Sequence, residues 1–180
     1  MHRKFFIYFY CFFLLALKLN AEVIYDFKRD RYSGDWRVVN DGVMGGLSSG
    51  RLEIDDDGNG IFYGFVSLDN YGGFTSIRLR KKVKLNNYNK IVLRVFGDNK
   101  LYQLRVKSRS RDRHVYVKNF HAENKWQEIE INLKSMRPQF RGRKLNMSNF
   151  NNRSIEEIGI LIGNKTEEEF RLIIDYLILK

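Results

Sequence analysis

Cysteine is almost absent. The 180-residue chain has one, Cys11, which excludes a disulfide framework and any multi-cysteine zinc or iron–sulfur site. Proline is as scarce, with Pro138 alone, so the chain is neither a polyproline spacer nor collagen-like. Beyond residue 21 the histidines are only His114 and His121. Seven apart in a strand-like stretch, they fall on opposite faces, and no acidic residue stands at ligand spacing, so neither a metal site nor a catalytic triad is nominated. Only one long apolar run exists, the 13 residues 5–17. It is short of the roughly 20 residues a membrane span needs. With Arg3 and Lys4 before it and Asn20-Ala21 after it, the run has the layout of a secretory signal peptide. The expectation is an exported chain, periplasmic or secreted. Residues 1–21 are cleaved or kept as a tether, and 22–180 form a single domain.

Positive charge is abundant. Lys and Arg number 32 against 21 Asp and Glu, and hydrophobic residues make up 43%, enough for a packed core. Beyond residue 21 period-2 alternation dominates. Eleven short segments rich in Val, Ile, Tyr and Phe read as strands. Asn-, Asp- and Gly-rich turns separate them, and this pattern predicts an all-β sandwich or barrel. Residues 134–154 read as one long irregular stretch. Ser154 and Glu157 have capping-box spacing and would open a helical turn there.

The charge is concentrated. Residues 78–113 hold 13 Lys and Arg against Asp98 and Asp112. Strand alternation over 74–85 puts Ile77, Leu79, Val83 and Leu85 in the core and Phe74, Ser76, Arg78, Arg80, Lys82 and Lys84 on the other face. Over 102–113, Tyr102, Leu104 and Val106 point inward, and Gln103, Arg105, Lys107, Arg109, Arg111 and Arg113 point outward if one strand runs that far. Two basic rows on one sheet face would attract an anionic partner. The plainer reading is a solvated face.

Other motifs carry less. Asp55, Asp57, Asn59 and Gly60 open like a calcium loop, but Val66 stands where its bidentate glutamate belongs, so the EF-hand reading fails and a tight acidic turn remains. A weak calcium site of other geometry stays open. The glycine-rich stretch 36–50 has neither a G-x-G-x-x-G pattern nor a P-loop lysine. It suggests a bulged loop shaping a cleft, with Asp41 and Ser48 as its polar groups. Glu156-Glu157 and Glu167-Glu168-Glu169 read as solvated surface, and no nucleophile–base or carboxylate pair stands out.

Trp36 with Asn40-Asp41-Gly42-Val43-Met44-Gly45-Gly46-Leu47-Ser48-Ser49-Gly50, followed by the run from Phe62 through Gly64, Gly72, Gly73 and Phe74 to Arg78, resembles the hallmark of the complex I intermediate-associated protein family. Gly97-Asp98 with Tyr102, Trp126, Pro138-Gln139-Phe140-Arg141-Gly142-Arg143 and Ile158-Gly159-Ile160 extend the likeness. The resemblance implies a galactose-binding-like jelly-roll β-sandwich. It further implies a non-catalytic binding module without cofactor or metal, an accessory or assembly factor for a protein complex. Family-motif or cleft positions are then Trp36, Asp41, Met44, Gly45, Gly46, Ser48, Gly64, Gly72, Gly73, Phe74, Arg78, Arg141 and Gly142. The expected binding surface is Arg78, Arg80, Lys82, Lys84, Arg105 and Lys107. A carbohydrate or anionic surface is the alternative partner, with Tyr63, Tyr71, Phe74 and Tyr102 as the aromatics a sugar could use if they are not core or strand-edge packing, and export disfavours nucleic acid.

Overall fold

The computed structural model describes residues 21–31 and 33–180. Apart from Ala21, the segment read as an export signal lies outside the described residues. No helix among the described residues is long and apolar enough to cross a membrane.

Among the described residues, thirteen strands form two antiparallel sheets. The first sheet has the order β3 (Ser49–Ile54), β4 (Gly60–Val66), β13 (Glu168–Leu179), β6 (Lys90–Phe96) and β9 (Trp126–Asn132), with β1 (Glu22–Asp26) also paired to β13. The second has the order β11 (Arg143–Lys144), β10 (Arg137–Phe140), β8 (Val115–Ala122), β7 (Lys100–Lys107), β12 (Ser154–Ile162), β5 (Thr75–Lys84) and β2 (Trp36–Asn40). One face of each sheet meets the other in a single core. It includes Ile77, Leu79 and Val83 from β5, Tyr102, Leu104 and Val106 from β7, and Ile155, Ile158, Ile160 and Ile162 from β12. β-branched side chains suit this half-buried pleated surface.

The short helix α1 (Phe27–Asp30) is capped by Asp26, whose Oδ1 accepts from the amides of Lys28 at 3.0 Å and Arg29 at 3.1 Å. It drives Phe27 into the core, fully buried, stacked on Trp36 at 5.8 Å and edge-on to Tyr25 at 4.9 Å. Phe27→Ala empties that wedge. Its expected cost is about 3–5 kcal/mol, read as a drop in denaturation midpoint with an unchanged slope against denaturant.

Two local expectations are corrected. Ser154–Glu157 begins no helix; it opens β12, because Ile155 and Ile158 are both needed in the core between β5 and β7. The stretch 134–154 is not wholly irregular: it contributes β10 and β11, and Pro138 sits in β10 opposite Tyr116. β5 also carries an extra residue. Ile155 faces Val83 while Glu157 faces Arg80. This bulge sends Lys81 Nζ to the Ile24 carbonyl at 2.7 Å.

Candidate functional site

The outer face of the second sheet is a groove of about 710 Å³. Its floor follows from strand register. In the central row Gly159 of β12 stands opposite Arg78 on β5 and Arg105 on β7. One row away Leu161 faces Ser76 and Gln103; on the other side Glu157 faces Arg80 and Lys107. With no side chain at 159, the floor dips between the two guanidinium groups. A Cβ added there would come within 3.0 Å of the Ile77 carbonyl oxygen. The lining reaches from Val39 of β2 to Gln139 of β10, five strand spacings or roughly 24 Å.

Loops close both ends. At one end lie Tyr71, Phe74 and Lys165. Tyr71 is 94% exposed, and its turn holds Asn70 and Tyr71 at φ of 53° and 62°, a left-handed backbone that costs a non-glycine residue roughly 1–2 kcal/mol. At the other end the β10–β11 turn presents Phe140 and Arg141, and the guanidiniums of Arg113 and Arg141 lie 5.6 and 5.5 Å from the Phe140 ring centre.

Six basic side chains line the groove (Arg78, Arg105, Lys107, Arg113, Arg141, Lys165) against two acidic ones, Asp41 and Glu157. Glu157 is buried and ion-paired to Arg80 at 3.5 Å and Lys107 at 3.8 Å. Its expected place on a solvated surface is thus corrected: as part of a central strand it points into a cluster of cations. Burial, reinforced by the Arg78 charge, pushes the Arg105 pKa down to about 10, although Glu157 opposes the shift; the group stays cationic at neutral pH. Burial also lowers Arg78, with Arg37 and Arg80 adding to the effect and Glu157 opposing it. Arg78 Nε donates to Ser76 Oγ at 3.3 Å. Arg105 has neither an ion pair nor a hydrogen bond to its side chain among the described residues.

Asp41 is a fastening for the loops. Its Oδ1 accepts from the Ser48 amide at 3.1 Å. Its Oδ2 accepts from Ser48 Oγ at 2.5 Å and from the amides of Gly73 at 2.7 Å and Phe74 at 3.2 Å. Burial raises its pKa, but these donors outweigh burial and hold it below its ordinary value. Ser48 Oγ also accepts from the Ser67 amide at 3.0 Å. Two loops, 41–48 and 67–74, are therefore joined through one carboxylate. Gly46 packs directly on it, for an added Cβ would sit 2.4 Å from Oδ1, and Gly72 flanks it on the other side.

The remaining predicted positions divide clearly. Trp36 is buried with Tyr25 and Phe27. Met44 and Gly45 end the short 3-10 turn begun by Asp41, and Gly64 lies in β4 against β3. Phe74, Arg78, Arg105, Lys107, Arg141 and Gly142 line the groove. Arg80 reaches it only through Glu157. Lys82 and Lys84 are exposed past the bulge and do not line it. Of the aromatics offered to a sugar, Tyr71 and Phe74 line the groove, Tyr102 is buried in the core, and Tyr63 lies in β4 of the first sheet with its hydroxyl donating to Glu53 at 2.7 Å. The outward basic row does not run to Arg113, because β7 ends at Lys107; Arg113 reaches the groove from the connection that follows. Gly159 and Phe140 stand inside the quoted motifs, but their place in the groove follows only from strand register and turn geometry. His114 packs edge-on to Tyr116 at 5.2 Å, and His121 Nε2 lies 2.9 Å from the Asn99 carbonyl oxygen. The Asp55 carboxylate accepts from the Asn59 amide at 2.7 Å and closes its own turn. No group of three His, Cys, Asp or Glu suited to a metal is found among the described residues. With Glu157 ion-paired and Asp41 committed to loop donors, the groove presents an excess of positive charge.

The model of the family described as complex I intermediate-associated protein 30 matches residues 25–174. Among solved structures, the chain resembles the family 11 carbohydrate-binding module of the cellulosomal cellulase Lic26A-Cel5E of Clostridium thermocellum, at 15% identity and a TM-score of 0.67 over 89% of this chain and 94% of that one. The Clostridium thermocellum family 11 module in complex with a β-1,3-1,4-mixed-linked tetrasaccharide is similar at 15% identity and TM-score 0.64, over 88% and 94% of the two chains. An exo-β-agarase is matched at 10% identity and TM-score 0.56, over 88% of this chain but 25% of its own length. At these identities the likeness establishes the fold: a galactose-binding-like jelly-roll sandwich. No curated protein matches.

Proposed function

The chain belongs to the complex I intermediate-associated protein 30 family, and from that premise we propose that it is a non-catalytic binding module acting as an accessory or assembly factor for a protein complex. The partner docks on the basic groove of the second sheet. The observation that carries this reading is the pair of half-buried guanidiniums, Arg78 and Arg105, flanking Gly159. Neither guanidinium is ion-paired among the described residues, and partial burial of an unpaired cation is costly; an incoming acidic group offsets that cost with charge-assisted hydrogen bonds. The module works after export, as the layout of residues 1–21 suggests. Cross-linked full-length protein is expected to capture a reproducible set of membrane-complex subunits from cells. The Arg78→Glu/Arg105→Glu variant should capture at least tenfold less while keeping its thermal midpoint. Undiminished capture overturns the docking site. A first peptide beginning at Glu22 is the expected sign of export, and an intact Met1 in a soluble cytoplasmic fraction would refute it.

A saccharide ligand is the second reading, favoured by Tyr71. An aromatic ring left 94% exposed at the mouth of a groove is costly to keep in water and offers a flat face to a sugar ring. The solved carbohydrate-binding modules above share the fold, which supports this reading by analogy only.

A further inference from the structure

We infer that the groove recognises an anionic oligosaccharide, with the acid group of one sugar seated over Gly159 between Arg78 and Arg105 and a neighbouring ring laid on Tyr71; this rests on the saccharide reading above. Three observations carry it. First, Arg105 is half-buried on a strand face and has no ion pair or hydrogen bond to its side chain among the described residues, while the only inner carboxylate of the floor, Glu157, is already held by Arg80 and Lys107. A planar guanidinium fork fits a carboxylate or sulfate through paired hydrogen bonds. A neutral sugar would leave that charge unanswered.

Second, the floor lies on strands paired on both sides, with the backbone groups of β5, β12 and β7 committed to the sheet ladder, whereas peptides that join sheets do so at a free edge. A ligand on this floor is held by side chains: the cations of Arg78, Arg105 and Lys107 donate to its acid oxygens, and Gln103 and Gln139 can accept from sugar hydroxyls. Third, two consecutive left-handed residues, Asn70 and Tyr71, are what set the tyrosine ring at the groove mouth. Strain of this kind persists at ligand clamps.

The test is titration of the full-length protein with four probes: oligogalacturonate, dextran sulfate, neutral mixed-linked β-glucan and poly-glutamate. The expected result is binding of oligogalacturonate or dextran sulfate, whichever is tighter identifying carboxylate or sulfate. Arg105→Gln should weaken it at least tenfold and Tyr71→Ala at least fivefold. Lys82→Gln/Lys84→Gln, which removes two charges outside the groove, should change it less than twofold. Binding of the neutral glucan that is indifferent to Arg105→Gln overturns the acid-group inference and leaves the saccharide reading standing. No saccharide bound at all overturns both. Poly-glutamate bound as tightly as the glycans, with no effect of Tyr71→Ala, overturns the inference in favour of an acidic polypeptide. An equal loss in the Lys82/Lys84 variant also overturns it, since binding would then follow net charge alone.

Discussion

Asp41→Ala is expected to lower stability by about 3–5 kcal/mol, because it strips the acceptor from buried or half-buried donors on two loops at once. The amides of Ser48, Gly73 and Phe74 and the Ser48 hydroxyl all lose it. For a domain of this size the thermal midpoint should fall by roughly 6–20 °C. Asp41→Asn keeps the shape but turns an N–H toward donors, so it should recover only part of the loss. The fastening is also pH-dependent. The folded carboxyl titrates below its ordinary value of 3.8. Its contribution is therefore fully present above that value and is lost as pH falls through the folded pKa. Thermal midpoints of the native protein and Asp41→Asn, measured from pH 6 to pH 2, should converge at the acid end. A gap of constant width would show that the carboxylate charge contributes nothing.

Gly64→Ala should do comparable damage by a different route. In β4, Gly64 pairs with Gly50 on one side and Phe170 on the other. Its φ is +151°, and an added Cβ would stand 1.9 Å from the Ser49 carbonyl oxygen. That atom is backbone and cannot swing aside, so β3 must part from β4 near its start. We expect a loss of at least 3 kcal/mol and faster amide exchange across residues 49–54. Unchanged exchange with a small loss would mean the ladder absorbs the methyl group.

Both substitutions fall in the motifs that made the family legible, which shows what those motifs encode. Most of their residues hold loops together: Asp41, Ser48, Gly46 and Gly72 fasten two connections, and Trp36 fills the core under α1. The alternation over 74–85 and 101–107 correctly sorted inward from outward residues in β5 and β7, because a half-buried strand writes its two faces into its sequence. That alternation could not reveal that the groove stops at the row of Arg80 and leaves Lys82 and Lys84, on the same face, beyond its end. Nor could it place Gly159 between the arginines, since pairing across β12 is a long-range property. Glu157 was hidden for a related reason. Beside Ser154 and Glu156 it looked like a helix start, and only the demand for Ile155 and Ile158 in the core makes that segment a strand. The position of Tyr71 depends on two backbone angles that residue type alone does not dictate.

The placement of β13 bears on how the chain acquires its structure. β4 and β6 never touch as a pair; β13 lies between them and also carries β1. Until residues 168–179 have been synthesised, the strands from residues 22–26, 60–66 and 90–96 have no common neighbour. They must wait with apolar faces and unpaired edges accessible. Topologies closed by such distant pairings fold in milliseconds to seconds, and the waiting intermediate is prone to aggregation. A ribosome-bound chain stalled before residue 168 should therefore remain protease-sensitive throughout. Release of the remaining strand should bring protection to the first sheet in one step.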